Sequence, residues 1–510
     1  MQSKGVLLGI DFGTGGCKVS AVSEDGSLLA DASVEYSTEY PRRGWSEQNP
    51  ADWYAAMCRA LREVSEKGVD LSRTISVAFD GSTHNAVLLD ADMEPVRKTI
   101  MWTDQRSVKE CEYLGENYRD KIFSTTYQMP TPTWTLPQMM WLKSNEPEVL
   151  AKTKNVLFVK DYVRYLVTGV AVTDYIEAQG TLFFDMEKMD WSPELVGLSG
   201  LDFSALPKMV KPTDVVGKVA SSSSRDTGIP EGTPVVCGTS DSAVEDYGAG
   251  AIEPGDCILK LATAGNVNVM TSAAHPFKST LTYSHVIDGM WYTVSATNAA
   301  ALCQRWFRDT FCAEEKALAE SSKRRVFDIM DELAGKSPIG SGGVMFHPYL
   351  QGERSPYWDA GLRASFTGVS ISSTKGDFAR ALLEGVAFSL KDCYGSIEEI
   401  GLKVKRIFLI GGGARSRLWS SIISNVFNKT VLVPVPGDAS YGAALLAGVG
   451  AGIFSTPAEA VRKCLKIGRQ VEPEAAESEF YSKLFENYKA VHDALAPVYK
   501  KEKLQNNHQG

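Results

Sequence analysis

The first forty residues alternate between apolar and polar positions in a way that predicts a β-meander. An apolar run at residues 6–10 is typical of a buried strand that ends at Asp11, and the glycines after it supply a turn. Residues 18–23 alternate in strand fashion, and the Asp-Gly pair at 25–26 is a strong hairpin signal before residues 28–34. We therefore expect three successive strands with an acid at the first bend.

A similar hairpin pattern near the middle of the chain predicts a second, related domain. Residues 257–261 are strand-like, residues 262–265 form a turn, and residues 266–270 return. The small, flexible segment 248–255 precedes them and is the most plausible hinge. The predicted organisation is an N-terminal domain at 1–252, a C-terminal domain at 253–495 and a frayed polar tail at 496–510.

Strands and helices alternate in the second half, which predicts the α/β class. A strand at residues 406–410 ends in the glycines 411–413. Two helices flank it, because apolar residues recur there at steps of four. Their apolar stripes are Phe378, Leu382 and Val386 before the strand, and Leu418, Ile422 and Val426 after it.

Composition narrows the function classes. The chain has 510 residues, of which 44% are hydrophobic and 23% charged, as in folded globular proteins of two or three domains. A net charge of -9 argues against a nucleic-acid partner. No apolar run approaches the length of a spanning helix, so we expect no membrane partner. The start of the chain lacks signal-sequence features, and the nine cysteines include no C-x-x-C pair, which together predict a reduced, cytoplasmic protein.

The first bend carries groups that suit a triphosphate. Gly13 and its neighbours allow backbone amides to approach an anion, Thr14 adds a hydroxyl, Lys18 adds a cation, and Asp11 could hold a hydrated Mg²⁺. The segment is neither a Walker A loop nor a dinucleotide fingerprint. A tight glycine turn with an incidental acid is the alternative interpretation.

Two further glycine-rich turns follow strands in the second half. One contains Thr263 and Gly265, and, taken alone, it is better explained by an ordinary hairpin. The other, residues 411–415, lies between a strand and a helix, where a nucleotide could contact bare backbone or where strand and helix could simply pack closely. Three such turns distributed over both halves favour a nucleotide held in an interdomain cleft.

Polar clusters at the ends of other strands are candidates for acceptor chemistry. Asp241 follows a buried strand and could accept a proton from an attacking alcohol, although a helix N-cap is the alternative role. Residues 82–85 combine hydroxyl, imidazole and amide groups that suit a polyhydroxylated ligand, whereas a lone histidine is usually structural. Residues 102–106 offer an aromatic platform, and an Asp104–Arg106 structural pair is the alternative there.

The ordered set of motifs resembles the FGGY carbohydrate kinases, which belong to the actin-like ATPase fold group, from about residue 6 to about residue 490. The matching stretches are residues 9–14, 45–48, 102–106, 352–356 and 411–416. The resemblance implies two actin-like (ribonuclease H-like) domains around an interdomain cleft. It implies that Asp241 is the catalytic base and that Asp11 organises Mg²⁺. The implied nucleotide-binding residues are Asp11, Gly13, Thr14, Lys18, Thr263, Gly265, Gly412, Gly413 and Ala414.

Within the family the chain looks most like the xylulokinase branch, but the substrate-facing side chains depart from that pattern. The Gln-Met-His-Gly loop of that branch is represented here by residues 82–85, of which only His84 is kept. Ser242 stands where the branch has Asn, Gln138 where it has Lys, and Ala262 and Ala264 where it has Gly and Ser. The predicted acceptor contacts are Thr83, His84, Asp104 and Ser242. Two other stretches, residues 305–309 and 450–454, resemble the quorum-signal kinase branch.

The sequence thus predicts an ATP- and Mg²⁺-dependent sugar kinase that is most like a xylulokinase, with D-xylulose as substrate and D-xylulose 5-phosphate as product. The alternatives are an FGGY kinase for another ketose, a polyol or a quorum signal, and, from another class, an actin-like nucleotide-gated scaffold. The expected partner is a small sugar or polyol. A homodimer is left open.

Overall fold

A computed structural model describes residues 5–506, with side chains up to residue 500. The chain divides into two compact units that are discontinuous in sequence. The first comprises the residues up to Ile252 together with Thr282–Trp291 and Pro436–Leu465, and the second comprises Glu253–Leu281, Tyr292–Val435 and the residues from Lys466 onward.

The strands are β1 (Val6–Gly13), β2 (Gly16–Ser23), β3 (Leu28–Glu35), β4 (Glu47–Gln48), β5 (Thr74–Gly81), β6 (Ala86–Leu89), β7 (Thr99–Ile100), β8 (Asn155–Phe158), β9 (Val172–Asp174), β10 (Phe184–Asp185), β11 (Asp190–Trp191), β12 (Lys208–Val210), β13 (Val215–Lys218), β14 (Pro234–Ser240), β15 (Asp256–Leu261), β16 (Gly265–Thr271), β17 (Leu281–Ser284), β18 (Trp291–Thr297), β19 (Met345–His347), β20 (Ser365–Thr367), β21 (Arg406–Ile410), β22 (Val431–Pro434) and β23 (Ile467–Val471).

The α-helices are α1 (Pro50–Glu66), α2 (Val108–Asn117), α3 (Arg119–Thr126), α4 (Thr135–Asn145), α5 (Pro147–Lys152), α6 (Val159–Thr168), α7 (Tyr175–Gln179), α8 (Pro193–Ser199), α9 (Ser221–Thr227), α10 (Asp241–Gly248), α11 (Ala301–Phe311), α12 (Ala313–Ser322), α13 (Val326–Gly335), α14 (Lys375–Glu399), α15 (Arg417–Phe427), α16 (Ala439–Gly450), α17 (Pro457–Cys464) and α18 (Ala475–Asn506).

The first unit is built on a sheet of six strands in the order β13-β14-β5-β1-β2-β3. β1 pairs antiparallel with β2 and parallel with β5, and β5 pairs parallel with β14. The predicted meander is therefore present, but β1 continues past Asp11 as far as Gly13. Helix α16 packs closely against β1 at Gly9. Only a glycine fits there, because a Cβ would lie 1.9 Å from the Ser440 carbonyl oxygen.

The second unit contains a sheet whose strands follow the order β18-β16-β15-β21-β22-β23. β15 pairs antiparallel with β16 and parallel with β21, which matches the predicted second hairpin. Helices α14 and α15 pack the apolar stripes predicted for them into the hydrophobic core beside this sheet. The alternation of strands and helices confirms the α/β class.

The C-terminal segment differs from the predicted frayed tail. Helix α18 continues to Asn506, so residues 496–506 are helical, while residues 507–510 lie outside the described part of the chain. The apolar stripe of this helix continues beyond Tyr488, and Ala496 and Tyr499 pack on the core of the second unit. This packing stabilises a helix in a stretch that composition alone marks as polar. Within residues 5–506 no helix is both long and apolar enough to span a membrane.

Candidate active site

The topology of the first sheet brings three acids to one edge. β14, β5 and β1 are adjacent and parallel, so their carboxyl ends meet at the same edge. Asp11 in β1 lies directly opposite Asp80 in β5, and Asp241 follows the last residue of β14. Three carboxyl groups from distant parts of the sequence thus share one end of the sheet, where ligands bind in open α/β sheets.

Asp80 is fully buried, and it faces Asp11, which is half-buried. Apart from each other, both Asp80 carboxyl oxygens and Asp11 Oδ1 have no hydrogen-bond partner among the described residues. Burial raises the pKa of Asp11 to about 7, with further contributions from the charges of Asp241, Asp438 and Glu245. Burial and the neighbouring Asp11 also raise the pKa of Asp80 well above its ordinary value. The pair therefore holds a proton that a bound cation would replace.

This donor set fits Mg²⁺. Magnesium in kinase sites is usually held by one or two carboxylates together with substrate phosphates and water, rather than by a cage of protein ligands. Within residues 5–506 no cluster of three or more His, Cys, Asp or Glu side chains is arranged to hold a metal ion. Asp11 with Asp80 beside it supplies the one or two carboxylates that such a site needs.

Asp241 occupies the first position of α10. The N-cap of this helix is Ser240, whose Oγ accepts from the Ala243 amide at 3.5 Å, so the alternative that Asp241 is the N-cap is wrong. Asp241 Oδ1 accepts from the Ser242 amide at 2.7 Å and from Thr83 Oγ1 at 3.5 Å. The predicted residues Thr83, Asp241 and Ser242 therefore lie together, with a half-buried carboxylate between two hydroxyl-bearing side chains.

His84 is held in a strained backbone conformation by two polar contacts. Its φ is 57°, its amide donates to Glu177 Oε1 at 2.6 Å, and its carbonyl accepts from Thr135 Oγ1 at 2.8 Å. The ring lies 4.8 Å from that of Trp134, and within the described part of the chain neither ring nitrogen has a hydrogen-bond partner of good geometry, although the Thr133 backbone lies near. Burial lowers the pKa of His84 to about 3, so the imidazole is neutral at physiological pH and offers one donor and one acceptor.

Asp104 lies in a buried ion pair. Its carboxylate accepts from Arg106 Nε and Nη2 at 2.9 and 2.8 Å and from the backbone amides of Ser46 and Arg106 at 2.6 and 2.8 Å. The side chains of Asp104 and Arg106 are both fully buried. These four bonds match the acceptor capacity of a carboxylate, so the arrangement holds residues 102–106 against β4, and a contact between Asp104 and the acceptor stays a prediction.

The first glycine-rich turn consists of two residues, Thr14 and Gly15, between β1 and β2. The Thr14 hydroxyl oxygen accepts from Trp102 Nε1 at 3.0 Å, and the Thr14 carbonyl accepts from Gln48 Nε2 at 2.7 Å. Gly13 has room, since a Cβ there would meet nothing closer than 3.6 Å. The turn is therefore held on its protein side by side chains from β4 and the 102–106 segment.

Lys18 is already paired with two carboxylates. Its Nζ lies 2.7 Å from Asp438 and 3.4 Å from Asp31, and the Asp438 charge raises the pKa of Lys18 against the opposing effect of burial. Much of the Lys18 charge is thus compensated within the protein, and its contact with a phosphate stays a prediction.

In the second unit, the predicted nucleotide turns follow β15 and β21, which are parallel neighbours. Thr263 Oγ1 accepts from Arg305 at 2.7 Å. A Cβ on Gly265 would lie 2.8 Å from Thr297 Cγ2, and a Cβ on Gly413 would lie 2.7 Å from Leu261 Cβ, so both glycines are required for packing.

Gly412 and Ala414 differ from these packing glycines. A Cβ on Gly412 would meet no atom of the described residues within 4 Å, so that position is open. Ala414 is buried, and its carbonyl accepts from Arg469 at 2.6 Å. Whether a nucleotide contacts either residue stays a prediction.

Two acids of the site escaped the sequence analysis. Asp80 follows an apolar strand and is followed directly by a glycine. Asp11 also follows an apolar run, with one residue between it and the next glycine, and this repeated pattern could have identified Asp80. Glu177 is fully buried, its Oε2 has no hydrogen-bond partner among the described residues, and burial raises its pKa well above the ordinary value. No local signal marks Glu177, because its partner His84 lies 93 residues away.

The chain is similar to known kinases over almost its whole length. Residues 6–248 match the N-terminal domain and residues 261–451 the C-terminal domain of the FGGY family of carbohydrate kinases. It is 31% identical to the xylulose kinase of Bacillus subtilis over 95% of this chain and 96% of that protein.

Solved structures agree with these matches. A xylulose kinase from Rhodospirillum rubrum matches with a TM-score of 0.86 and 28% identity over 97% of this chain and all of that one. A gluconate kinase from Lactobacillus acidophilus matches with a TM-score of 0.88 and 25% identity over 98% of this chain and all of that one. The predicted actin-like fold is confirmed, and a nucleotide-gated scaffold is not favoured. The chain belongs to the FGGY family of carbohydrate kinases and is an ATP-dependent sugar kinase.

Proposed function

We propose that this enzyme transfers the γ-phosphate of ATP to a hydroxyl of a small ketose, with D-xylulose as the first candidate and D-xylulose 5-phosphate as its product. The observation that carries the proposal is the position of Asp241 at the edge where β14, β5 and β1 end, beside Thr83 and near the Asp11–Asp80 pair. The relatives named xylulose kinase support the choice of sugar.

Asp241 is the base in this proposal. Its carboxylate accepts the proton of a terminal hydroxyl as that oxygen attacks the γ-phosphorus in line, and the phosphoryl group leaves ADP. The Ser242 amide holds one carboxylate oxygen at 2.7 Å and so fixes the orientation of the group. Asp11 would hold Mg²⁺, with Asp80 beside it, and the cation would offset the charge of the phosphates.

The proposed division of labour follows the two halves of the chain. Residues 1–252 carry the base, the acceptor contacts and the first phosphate turn, and residues 253–495 carry the turns at Thr263 and Gly412. Neutral His84 suits a polyhydroxylated acceptor, because its imidazole can donate one hydrogen bond to a hydroxyl and accept one from another. An acceptor other than D-xylulose is the second candidate, since three of the four residues at 82–85 depart from the xylulokinase pattern.

A substrate panel tests the proposal. ADP release by the purified enzyme is coupled to a dehydrogenase assay with D-xylulose, other pentuloses, tetruloses, alditols, gluconate and a furanosyl quorum signal, and products are identified by mass spectrometry. Strong, saturable stimulation by D-xylulose with a monophosphate product is expected. Preferential turnover of gluconate, an alditol or the quorum signal would replace the ketose assignment, and ATP hydrolysis indifferent to every acceptor would contradict both candidates.

A further inference from the structure

The acceptor atoms of the turn at Thr14 are all bonded to the protein. Gln48 Nε2 donates to the Thr14 carbonyl at 2.7 Å, and the Tyr36 hydroxyl donates to the Gly13 carbonyl. The Tyr36 amide reaches the Gly15 carbonyl at 3.4 Å. Carbonyl oxygens that pointed outward from this turn would repel a phosphate, and these contacts turn them inward.

The hydroxyl oxygen of Thr14 also accepts a hydrogen bond from the protein. Trp102 Nε1 donates to Thr14 Oγ1 at 3.0 Å, and an indole nitrogen is a donor only. A hydroxyl that accepts from such a group keeps its own hydrogen for a different partner. Phosphate oxygens accept and never donate unless they are protonated, so the remaining hydrogen of Thr14 is suited to a phosphate.

Gln48 itself is locked, which makes the arrangement rigid. Its Nε2 also donates to Thr38 Oγ1 at 2.8 Å, and its Oε1 accepts from Trp53 Nε1 at 2.9 Å. Because the Trp53 indole can only donate, it fixes which end of the Gln48 amide is oxygen, and so fixes Nε2 toward Thr14.

The turn of the second unit repeats the device with different residues. Arg305 Nη2 donates to Thr263 Oγ1 at 2.7 Å, and a guanidinium is likewise a donor only. The Ala262 carbonyl accepts from the Ala301 amide at 2.7 Å, and the Thr263 carbonyl accepts from the Ala300 amide at 2.9 Å. Backbone amides at the start of α11 thus do what Gln48 and Tyr36 do in the first unit.

We propose that Trp102 and Arg305 are positioning residues that orient the hydroxyl hydrogens of Thr14 and Thr263 toward the phosphates of ATP, so that each hydroxyl acts as a donor to the nucleotide. This inference rests on the proposed nucleotide-binding role of the two turns. It does not depend on which sugar is phosphorylated, because the turns act on the nucleotide.

The test is a pair of double-mutant cycles read by calorimetric binding of Mg²⁺ and AMP-PNP without any acceptor, and by kcat/KM for ATP with the best acceptor. The first cycle uses W102F, which keeps the ring and removes the donor, T14V, and the double variant. The second uses R305M, T263V and their double variant. The matched controls are W191F, which removes a buried indole bond to the Pro207 carbonyl, and R308M on the same helix as Arg305.

W102F and R305M should each lower analogue affinity or kcat/KM for ATP roughly tenfold, the scale of one hydrogen bond to a charged group. In the T14V and T263V backgrounds the same changes should have less than about a twofold effect, because the hydroxyl they orient is gone. T14S should behave as wild type and be lowered by W102F as wild type is.

Equal losses in wild-type and valine backgrounds would overturn the inference, because Trp102 or Arg305 would then act by another route. Losses in W191F or R308M as large as those in the test variants would overturn it as well, by assigning the effect to general destabilisation. Wild-type protein that fails to bind the analogue would remove the nucleotide role of the turns. If both double-mutant cycles give the expected result in an enzyme that does not phosphorylate D-xylulose, the inference stands and only the choice of sugar is refuted.

Discussion

The carboxyl groups at the edge of the first sheet differ in their surroundings, and that difference separates their roles. Asp11 and Asp80 are aligned across neighbouring strands, and burial raises the pKa of both. Asp241 is half-buried at the start of a helix and is bonded by an amide and a hydroxyl. Two facing carboxyl groups with raised pKa values suit a cation, whereas a single carboxylate oriented by an amide suits proton transfer from an alcohol.

Replacing Asp241 with Asn should remove the base while keeping the shape of the site. General-base catalysis contributes about 10²- to 10⁴-fold, so kcat should fall by at least about a hundredfold. The dissociation constant for ADP, measured by calorimetry, should change less than about threefold. Asp92→Asn, on an exposed turn, is the control. Turnover within tenfold of wild type would show that another group accepts the proton.

Replacing Asp80 with Asn should stabilise the nucleotide-free protein. The change removes a fully buried acid that faces Asp11 and whose two carboxyl oxygens have no other hydrogen-bond partner among the described residues. Relief of such a group is worth about 1–3 kcal/mol, and thermal unfolding at pH 8 should show a higher midpoint. A midpoint at or below that of wild type, with Asp92→Asn unchanged, would indicate that Asp80 already has a compensating partner.

At the scale of elements, the hairpins were predictable because their signals are local. The turn at Thr14 and Gly15 and the strand before Gly411 are specified by residues within a few positions of each other. The pairing of β5 with β1 and β14 is specified by packing between distant segments, and no local pattern reveals it. The sequence therefore predicted the candidate acids Asp11 and Asp241 but missed Asp80, which became a candidate only when the sheet placed it beside Asp11.

The same limit applies to the turn between β21 and α15, where the sequence left nucleotide binding and close packing as equal alternatives. The structure separates the glycines. Gly413 packs against Leu261 and Trp419, whereas Gly412 faces open space. Packing thus explains Gly413 and also Gly411, where a Cβ would lie 2.7 Å from the Leu261 carbonyl oxygen, and it leaves Gly412 available for a ligand.

The two glycines should respond differently to alanine. Gly413→Ala should lower stability by about 1–3 kcal/mol, because the added Cβ would lie 2.7 Å from Leu261 Cβ and 2.9 Å from the Trp419 ring. Gly412→Ala should leave the unfolding midpoint nearly unchanged and raise the KM for ATP several-fold. Thermal unfolding and steady-state kinetics on both variants check this. The reverse pattern, or an unchanged KM in Gly412→Ala, would remove Gly412 from the proposed nucleotide site.

At the scale of the whole molecule, residues 496–506 are helical rather than frayed as the sequence predicted, and the difference has a physical reason. Composition near the C-terminus is polar, but apolar residues recur on one face of α18, and Tyr481 and Tyr488 are buried in the core of the second unit. The stripe extends to Tyr499. Average composition does not reveal a stripe of this kind. The recurrence of apolar residues every three to four positions does reveal it.

Buried histidines contribute to how the protein responds to acid. Burial lowers the pKa of His84 to about 3, and it lowers those of His285 and His347 to about 4. The ordinary histidine pKa is about 6.5, so the unfolded chain binds protons that the folded protein excludes, and stability is lost as pH falls below about 6.5. Asp11 acts in the opposite direction, since its raised pKa favours the folded state as pH falls from about 7.

Because these contributions oppose each other, the decisive measurement compares how steeply the free energy of unfolding changes with pH in wild type and in a histidine variant. His347 Nε2 donates to the Tyr488 carbonyl at 3.0 Å, and the imidazole ring lies 4.2 Å from that of Tyr488. His347→Gln keeps a donor but cannot titrate, so between pH 6.5 and 4 it should lose stability more slowly than wild type, by up to about 1.4 kcal/mol per pH unit. Denaturant unfolding at half-unit pH steps gives both slopes, with exposed His275→Gln as the control. Parallel curves for wild type and His347→Gln would mean that His347 is protonated in the folded protein, against its burial beside Tyr488.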